Sequence, residues 1–251
     1  IHGGARLKGS IATNAGKNAP VALLCASLMV KGKVVLKDMT HVEEVERILE
    51  ILKSIGVAYE WKDASTLALD TSGKLRMECI DRKACTATRS SLLLLGALSD
   101  REKKYKLYKS GGCKLGARTV KPHLFALEKL GVHVISKSHY YDVRNHPLKG
   151  REIVMYESGD TPTENAIMAA VMAQGTTVIK FASANYQVQD VCFYLELLGV
   201  KIESVGPSTM TVHGIAPDRS GGVKKNVEYF LSEDPIEAMS LISAAIVTKS
   251  S

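Results

Sequence analysis

Leu127-Glu128-Lys129-Leu130-Gly131-Val132-His133-Val134-Ile135 holds a helix end, a turn and the start of a strand in one short run. The glycine follows the last apolar helical position, where a left-handed C-cap favours a residue without Cβ. The same pattern occurs twice more. Ile51-Leu52-Lys53-Ser54-Ile55-Gly56-Val57 runs into Ala58-Tyr59-Glu60-Trp61, and Leu195-Glu196-Leu197-Leu198-Gly199-Val200 runs into Lys201-Ile202-Glu203. The glycines recur about 70 residues apart, so an internal repeat organises the chain.

Working outward from each glycine, a second strand follows the first: 67–70, 141–143 and 210–213. Upstream lies a second helix rich in small apolar residues, at 19–29, 90–98 and 165–173. Turn-then-strand runs follow the first and third of these at 32–36 and 175–179, and a leading strand is read at 149–155. Helices this apolar, with alanine and serine allowing close approach, belong in the middle of the molecule with sheets outside. The plain alternative is a generic α/β sheet with chance similarity. A fourth copy opens at Glu233-Asp234-Pro235-Ile236-Glu237-Ala238-Met239, with Pro235 suited to a first helical turn. It runs through Ala244-Ala245-Ile246 and leaves an apolar face without cover. Both ends of the chain therefore read as cut.

The length of 251 residues suffices for a substantial core, and 45% hydrophobic with 24% charged residues is ordinary for a globular protein. A net charge of +7 favours anionic partners. The lysines and arginines are scattered among regular elements, so no nucleic-acid patch is read. Arg101-Glu102-Lys103-Lys104, the densest basic spot, reads as a solvated loop. Five cysteines without CxxC spacing suggest neither disulfides nor zinc, and hence a reducing compartment. No apolar run reaches membrane-spanning length and no signal-peptide pattern is present, so no membrane partner and a cytoplasmic location are expected.

Three places carry chemistry. Ser110-Gly111-Gly112-Cys113-Lys114-Leu115-Gly116-Ala117-Arg118 is glycine-rich, and Lys109, Lys114 and Arg118 flank its thiol. Nearby cations stabilise a thiolate, which makes Cys113 the candidate reactive group; a surface cysteine among lysines is the bland alternative. Asn14-Ala15-Gly16-Lys17-Asn18-Ala19-Pro20 opens the first helix, where a helix N-terminus beside a lysine suits phosphate or carboxylate. On sequence alone, a glycine turn with a solvated lysine is the simpler reading. Arg89, in Thr86-Ala87-Thr88-Arg89-Ser90-Ser91, holds in the second unit the place of Lys17 in the first, so the two could converge on one anion; an arginine paired with a neighbouring carboxylate is the plain alternative. The third equivalent stretch is Gly159-Asp160-Thr161-Pro162-Thr163-Glu164-Asn165, whose threonines fit helix caps and whose backbone could also meet a diphosphate. His123 is read as a helix residue, and Trp61 as strand packing.

Taken together, Gly16-Lys17-Asn18-Ala19, Arg89-Ser90, Gly111-Gly112-Cys113 with Gly116-Ala117-Arg118, and Gly175-Thr176-Thr177 resemble the enolpyruvyl transferases in order and spacing. The nearest resemblance is to the UDP-N-acetylglucosamine 1-carboxyvinyltransferases of peptidoglycan synthesis, over residues 7–246. The resemblance implies an inside-out α/β barrel domain built of three βαβαββ repeats, spanning 15–232 with units at 15–85, 86–160 and 161–232. Residues 1–14 and 233–251 would belong to a second domain, mostly absent. It implies transfer of the enolpyruvyl group from phosphoenolpyruvate to the 3-hydroxyl of UDP-N-acetylglucosamine or a related nucleotide sugar, without metal or organic cofactor. By position, Lys17 and Arg118 would hold phosphoenolpyruvate and Asn18 would bond the reacting sugar region. Arg89, Thr161 and Thr163 would meet phosphates in the cleft. Cys113 would act as general acid or transient nucleophile under a closing loop. The family's aspartate base lies in the second domain, so this chain alone is expected to turn over poorly or not at all.

The sequence departs from the family pattern at Ser110, at Lys121 and at Asn185-Tyr186-Gln187, the last two replacing acidic residues. A non-catalytic binding domain, or a divergent paralogue with another acceptor hydroxyl, therefore stands beside the leading reading. The thiol loop speaks against the shikimate 3-phosphate branch.

Overall fold

The computed structural model describes residues 6–110, 119–215 and 222–250. Three helical stretches form its centre. The first is α1 (Asn18–Ala26), continued by the 3-10 turn Ser27–Met29. The second joins the 3-10 turn Arg89–Leu93 to α4 (Leu94–Ala97), and the third is α6 (Asp160–Val171). Ala19–Met29 and Ser91–Ala97 are buried throughout, as is every residue of α6 from Pro162 onward. Such helices have no polar face, as expected of elements enclosed on all sides. Close approach is built in at Gly96, where a Cβ would stand 2.6 Å from the Asn165 carbonyl oxygen. Asn165 ties the crossing, with Oδ1 accepting from Gly96 N at 2.7 Å and Nδ2 donating to Leu92 O at 3.0 Å.

Around this centre lie α2 (Glu43–Ser54), α5 (Lys121–Leu130) and α7 (Tyr186–Glu196), each with one buried and one exposed face, and the short α3 (Arg82–Ala87). Gly131, after α5, adopts φ +118°, and Gly56 and Gly199 adopt +102° and +91°. Gly131 is the C-cap of α5, and Gly56 and Gly199 lie just past the C-caps Ile55 and Leu197; all three turn left-handed as the sequence requires.

Outermost are three separate sheets. β1 (Lys33–Lys37), β2 (Ala58–Trp61) and β3 (Leu67–Asp70) share one with β11 (Val227–Phe230), in the order β11-β1-β3-β2. β4 (Lys104–Tyr108), β5 (Val132–Ser136) and β6 (Tyr140–Asn145) form the second, in the order β4-β6-β5. β7 (Glu152–Val154), β8 (Thr176–Lys180), β9 (Lys201–Glu203) and β10 (Thr209–His213) form the third, in the order β7-β8-β10-β9. Alternating burial along β1, β4 and β8 places one face of each sheet on the helices and the other outward. The arrangement is three sheets around buried helices, with no closed barrel among the described residues.

The first and third sheets match in detail. β1 pairs in parallel with β11, and β8 in parallel with β7. At corresponding places Leu231 N donates to Lys37 O at 3.1 Å and Met155 N to Lys180 O at 2.9 Å. The leading strand of the first sheet thus comes from the far end of the chain, out of the span read as the third unit. The second sheet has no such strand among the described residues. There the 3-10 turn Met77–Cys79 and α3 intervene.

Arg101 corrects the reading of residues 101–104 as a solvated loop. Its Nη1 donates to Leu28 O at 2.8 Å and Val30 O at 2.6 Å, and its Nη2 to Gly73 O at 2.8 Å and to Thr71 O. Desolvation lowers its pKa. A planar guanidinium serves several carbonyls at once, which a flexible ammonium does not.

The fourth helix, α8 (Pro235–Val247), is capped by Asp234, whose carboxylate accepts from Ile236 N at 2.8 Å. Ile236, Met239, Ile242, Ile246 and Val247 are exposed. The segment before α1 lies against it. Asn14 N and Nδ2 donate to Glu237 at 2.7 and 3.0 Å, Thr13 Oγ1 to Glu233, and Leu7 N to Ser250 Oγ at 2.7 Å.

Candidate active site

A cavity of about 530 Å³ opens where the N-terminal ends of α1, the Arg89–Leu93 turn and α6 meet. The repeat brings corresponding helix starts to one place. Neither α1 nor α6 has a side-chain N-cap bond; their N-cap residues are Lys17 and Gly159. Helix starts of this kind present N–H groups and positive partial charge to a ligand.

Of the residues singled out in the sequence, Asn18, Arg89 and Thr161 line this cavity together. Arg89 Nη2 donates to Thr119 O at 2.9 Å, and Thr119 also lines the cavity. Lys17 stands next to Asn18, with Nζ 3.6 Å from Glu44 Oε2 and its side chain 60% exposed. Thr163 turns inward and is fully buried. Its Oγ1 donates to Gly159 O at 2.7 Å and accepts from Ser183 N at 3.1 Å. It braces the turn before α6 from behind and is not its N-cap, which is Gly159. Cys113 and Arg118 lie outside the described residues. Among the cysteines that are described, Cys25, Cys85 and Cys192 are buried. Desolvation raises all three thiols, Cys85 and Cys192 to about 12. None of these three is a thiolate at neutral pH.

Gly16 has a steric reason to lack a side chain. A Cβ there would lie 2.1 Å from the Tyr186 hydroxyl oxygen. Burial, followed by the nearby Asp234 carboxylate, raises that phenol to about 12, and the hydroxyl bonds Asp234. The turn carrying Lys17 and Asn18 is thus pressed against α7.

His123, read from sequence as a helix residue, lines the cavity, as do Glu157, Asp160 and Glu164, to which the sequence assigned no role, and Gln187, which it marked only as a departure from the family pattern. His123 is buried, and desolvation, then the Arg89 charge, lowers its pKa to about 3. Nδ1 accepts from Asn165 Nδ2 at 2.8 Å, so Nε2 carries the proton and faces Thr161 Oγ1 at 3.4 Å. Asp160 is engaged from outside the cavity, accepting from Ser183 Oγ at 2.5 Å and Asn185 Nδ2 at 3.2 Å. Glu164 is wholly buried and pushed up to about 8 by desolvation, so it is chiefly a neutral acid at pH 7. The one available hint was a glutamate at the head of a helix that is apolar from Ala166 onward. No group of His, Cys, Asp and Glu among the described residues could hold a metal ion. No helix of the described residues is long and apolar enough to cross a membrane.

Comparison with known proteins agrees with this architecture. Residues 1–251 match the family model described as EPSP synthase (3-phosphoshikimate 1-carboxyvinyltransferase). The UDP-N-acetylglucosamine 1-carboxyvinyltransferase of Bradyrhizobium diazoefficiens is 35% identical over 250 residues, covering 100% of this chain and 56% of that protein. That of Dichelobacter nodosus is 32% identical over 248 residues, covering 99% and 58%. Among solved structures, the enolpyruvyl transferase NikO from Streptomyces tendae has a TM-score of 0.79 at 24% identity, covering 97% of this chain and 56% of that one. An EPSP synthase from Acinetobacter baumannii has a TM-score of 0.70 at 15% identity, covering 94% and 52%. These two likenesses establish the fold. The chain spans a little over half the length of the curated relatives it matches. With its whole length matched by the family model and its three sheets wrapped around buried helices, the chain belongs to the EPSP synthase (3-phosphoshikimate 1-carboxyvinyltransferase) family.

Proposed function

We propose that this chain is the first domain of an enzyme that transfers the enolpyruvyl group of phosphoenolpyruvate to the 3-hydroxyl of UDP-N-acetylglucosamine and releases phosphate. The observation that carries the reading is the meeting of Asn18, Arg89 and Thr161 at three helix starts around one cavity. The names of the curated relatives support the choice of substrates.

In this reading Arg89 and the helix starts receive phosphate oxygens, where charge-assisted hydrogen bonds are strongest. Asn18 bonds the sugar hydroxyl region. Lys17 swings from Glu44 to phosphoenolpyruvate. An exposed ion pair of this kind contributes only about 0–1 kcal/mol, so little opposes the movement. Arg118 joins Lys17 on the same substrate. Cys113 delivers a proton to the methylene carbon of phosphoenolpyruvate or adds transiently to the carbon that bears the phosphate oxygen, and closure of its loop excludes water from the reactive intermediate. His123 holds Thr161 as a neutral donor, and Thr163 holds Gly159 in place. The segment before α1 and the helix α8, already bonded to each other, begin a second domain that supplies the aspartate base. The exposed apolar side of α8 supports that assignment. A cytoplasmic location accords with these substrates.

The test is alkylation by fosfomycin, an epoxide that mimics phosphoenolpyruvate, applied to the complete protein. Mass spectrometry should place the adduct on Cys113, and an adduct on Cys25 or Cys192 instead overturns the site. A second reading, a paralogue with another nucleotide-sugar acceptor, is favoured by Lys121. That exposed cation opens α5 only two residues before the cavity-lining His123. A melting shift with UDP-N-acetylglucosamine supports the first reading. A shift only with another nucleotide sugar supports the second.

A further inference from the structure

Glu164 is buried inside a site that binds anions in the reading above, and that reading gives it no task. It lies on α6 with 1% of its surface exposed. Its Oε1 accepts from Gln187 Nε2 at 3.3 Å, and its Oε2 has no hydrogen-bond partner. Gln187, 3% exposed on α7, accepts in turn at Oε1 from Asn18 Nδ2 at 3.1 Å. A chain of carboxyl, carboxamide and carboxamide thus crosses from α6 through α7 to the first turn of α1, and all three residues line the cavity.

We propose that Glu164, acting through Gln187, is the positioning residue that fixes the direction of the Asn18 carboxamide at the cavity wall. The proposal rests on the functional reading of that cavity as a site for an anion and a hydroxyl donor. A carboxamide can turn over and exchange its donor and acceptor ends. With the acid proton on Oε2 and the carbonyl oxygen Oε1 accepting, Gln187 directs its NH2 to α6 and its oxygen to Asn18. Asn18 must then offer its own NH2 to Gln187, which leaves Oδ1 outside the chain as the acceptor for a ligand hydroxyl. Removing the acid at the far end frees both amides to invert.

The neutral form also matters, because a carboxylate here would repel an anionic ligand. Desolvation is the chief reason for neutrality, and Asp160 on the same helix adds to it. Titratable groups on the elements packed around α6 include Cys25 on α1, Arg89, His123 on α5, Lys180 on β8, Asp190 and Cys192 on α7, and His213 on β10; α5 also carries Lys121, Glu128 and Lys129, and α7 also carries Tyr186, Tyr194 and Glu196. Cys25 and Cys192 are neutral thiols whose ionisation Glu164 further opposes, and His123 is a neutral imidazole. Asp190 accepts from Tyr229 and Ser232, Lys180 pairs with Glu152, and His213 with Glu203. The influences that raise Glu164 are its desolvation and Asp160, and only its hydrogen bond to Gln187 opposes them.

The experiment follows the side-chain carboxamide signals of Asn18 and Gln187 by NMR in the 251-residue chain from pH 6 to 9.5, with phosphoenolpyruvate affinity measured in parallel. Both signals should shift together with one midpoint near pH 8, and phosphoenolpyruvate affinity should fall at least about fivefold from pH 7 to 9 as the charge develops. In E164Q both pH dependences should vanish. Q187A leaves the acid in place but removes the link, so there the Asn18 signal should lose its titration while phosphoenolpyruvate affinity keeps its pH dependence. That variant keeps the test open if E164Q does not fold. An Asn18 signal that does not titrate, or that titrates equally in E164Q or Q187A, overturns the positioning role. A shared titration without phosphoenolpyruvate binding at any pH keeps the chain of amides and overturns the functional reading instead.

Discussion

Asn165 Nδ2 donates to His123 Nδ1 at 2.8 Å, and this bond joins the central helix crossing to the cavity wall. The asparagine also serves Gly96 N and Leu92 O, so three buried groups depend on one side chain. Each buried group left unsatisfied costs roughly 1–3 kcal/mol. N165A should therefore destabilise the fold by about 3 kcal/mol or more, measured by urea unfolding. A loss below about 1 kcal/mol would mean that the crossing is held by packing alone.

His123 sets an acid limit on stability. Its pKa is about 3 when folded against the ordinary 6.5, so the unfolded chain binds the extra proton between those values. The stability it contributes is complete above about pH 6.5 and is lost as pH falls toward 3. NMR of the imidazole should show one neutral form, protonated on Nε2, throughout the range from pH 5 to 8. Observation of an imidazolium at pH 6 would contradict the bond to Asn165.

Glu164 acts in the opposite sense. Its pKa rises from 4.5 to about 8 on folding, so the folded chain holds the extra proton. Stability from this group is complete below about pH 4.5 and is lost as pH rises through 8. Unfolding free energy should decline over that interval by an amount on the order of a few kcal/mol, and E164Q should flatten the decline. An unchanged slope in E164Q would assign the decline to other groups.

G16A tests the pressure of α7 on the turn that carries Lys17. The new methyl would meet the Tyr186 hydroxyl oxygen at 2.1 Å, and overpacking of this kind costs about 1–3 kcal/mol. Y186F removes that oxygen, so G16A/Y186F should recover part of the loss. Thermal unfolding of the two single variants and the double variant measures the coupling, and strict additivity would place the strain elsewhere.

R101K should resemble R101A more closely than the parent. The guanidinium reaches the carbonyls of Leu28, Val30, Thr71 and Gly73 together, and a single ammonium cannot. Both variants are expected to lose about 2 kcal/mol or more in chemical denaturation. Full rescue by lysine would reduce the interaction to one of charge.

Much of the fold was legible because its signals are local. Gly56, Gly131 and Gly199 announce their own backbone conformation, and the alternation along β1, β8 and β10 shows which face is buried. β11 was missed because its identity as a strand depends on β1, far away in sequence. Arg101 was misread because a basic residue beside Glu102, Lys103 and Lys104 looks solvated until the carbonyls it serves are known. The cavity divides the same way. Asn18, Arg89 and Thr161 sit at helix starts that the repeat makes equivalent, whereas Glu164, Gln187 and His123 gain their meaning only from residues on other helices.

The parallel pairing of β1 with β11 also bears on how the molecule comes into being. Val34 and Val227 are register partners, so β1 waits for its neighbour until all of the intervening strands β2–β10 have been made. Until then one margin of β1 offers unmatched main-chain groups to any passing polypeptide. Closing so long a loop is entropically slow, and the first unit is in effect the last to be finished. A nascent chain halted before Val227 would carry an open seam, and would be a natural client for chaperones.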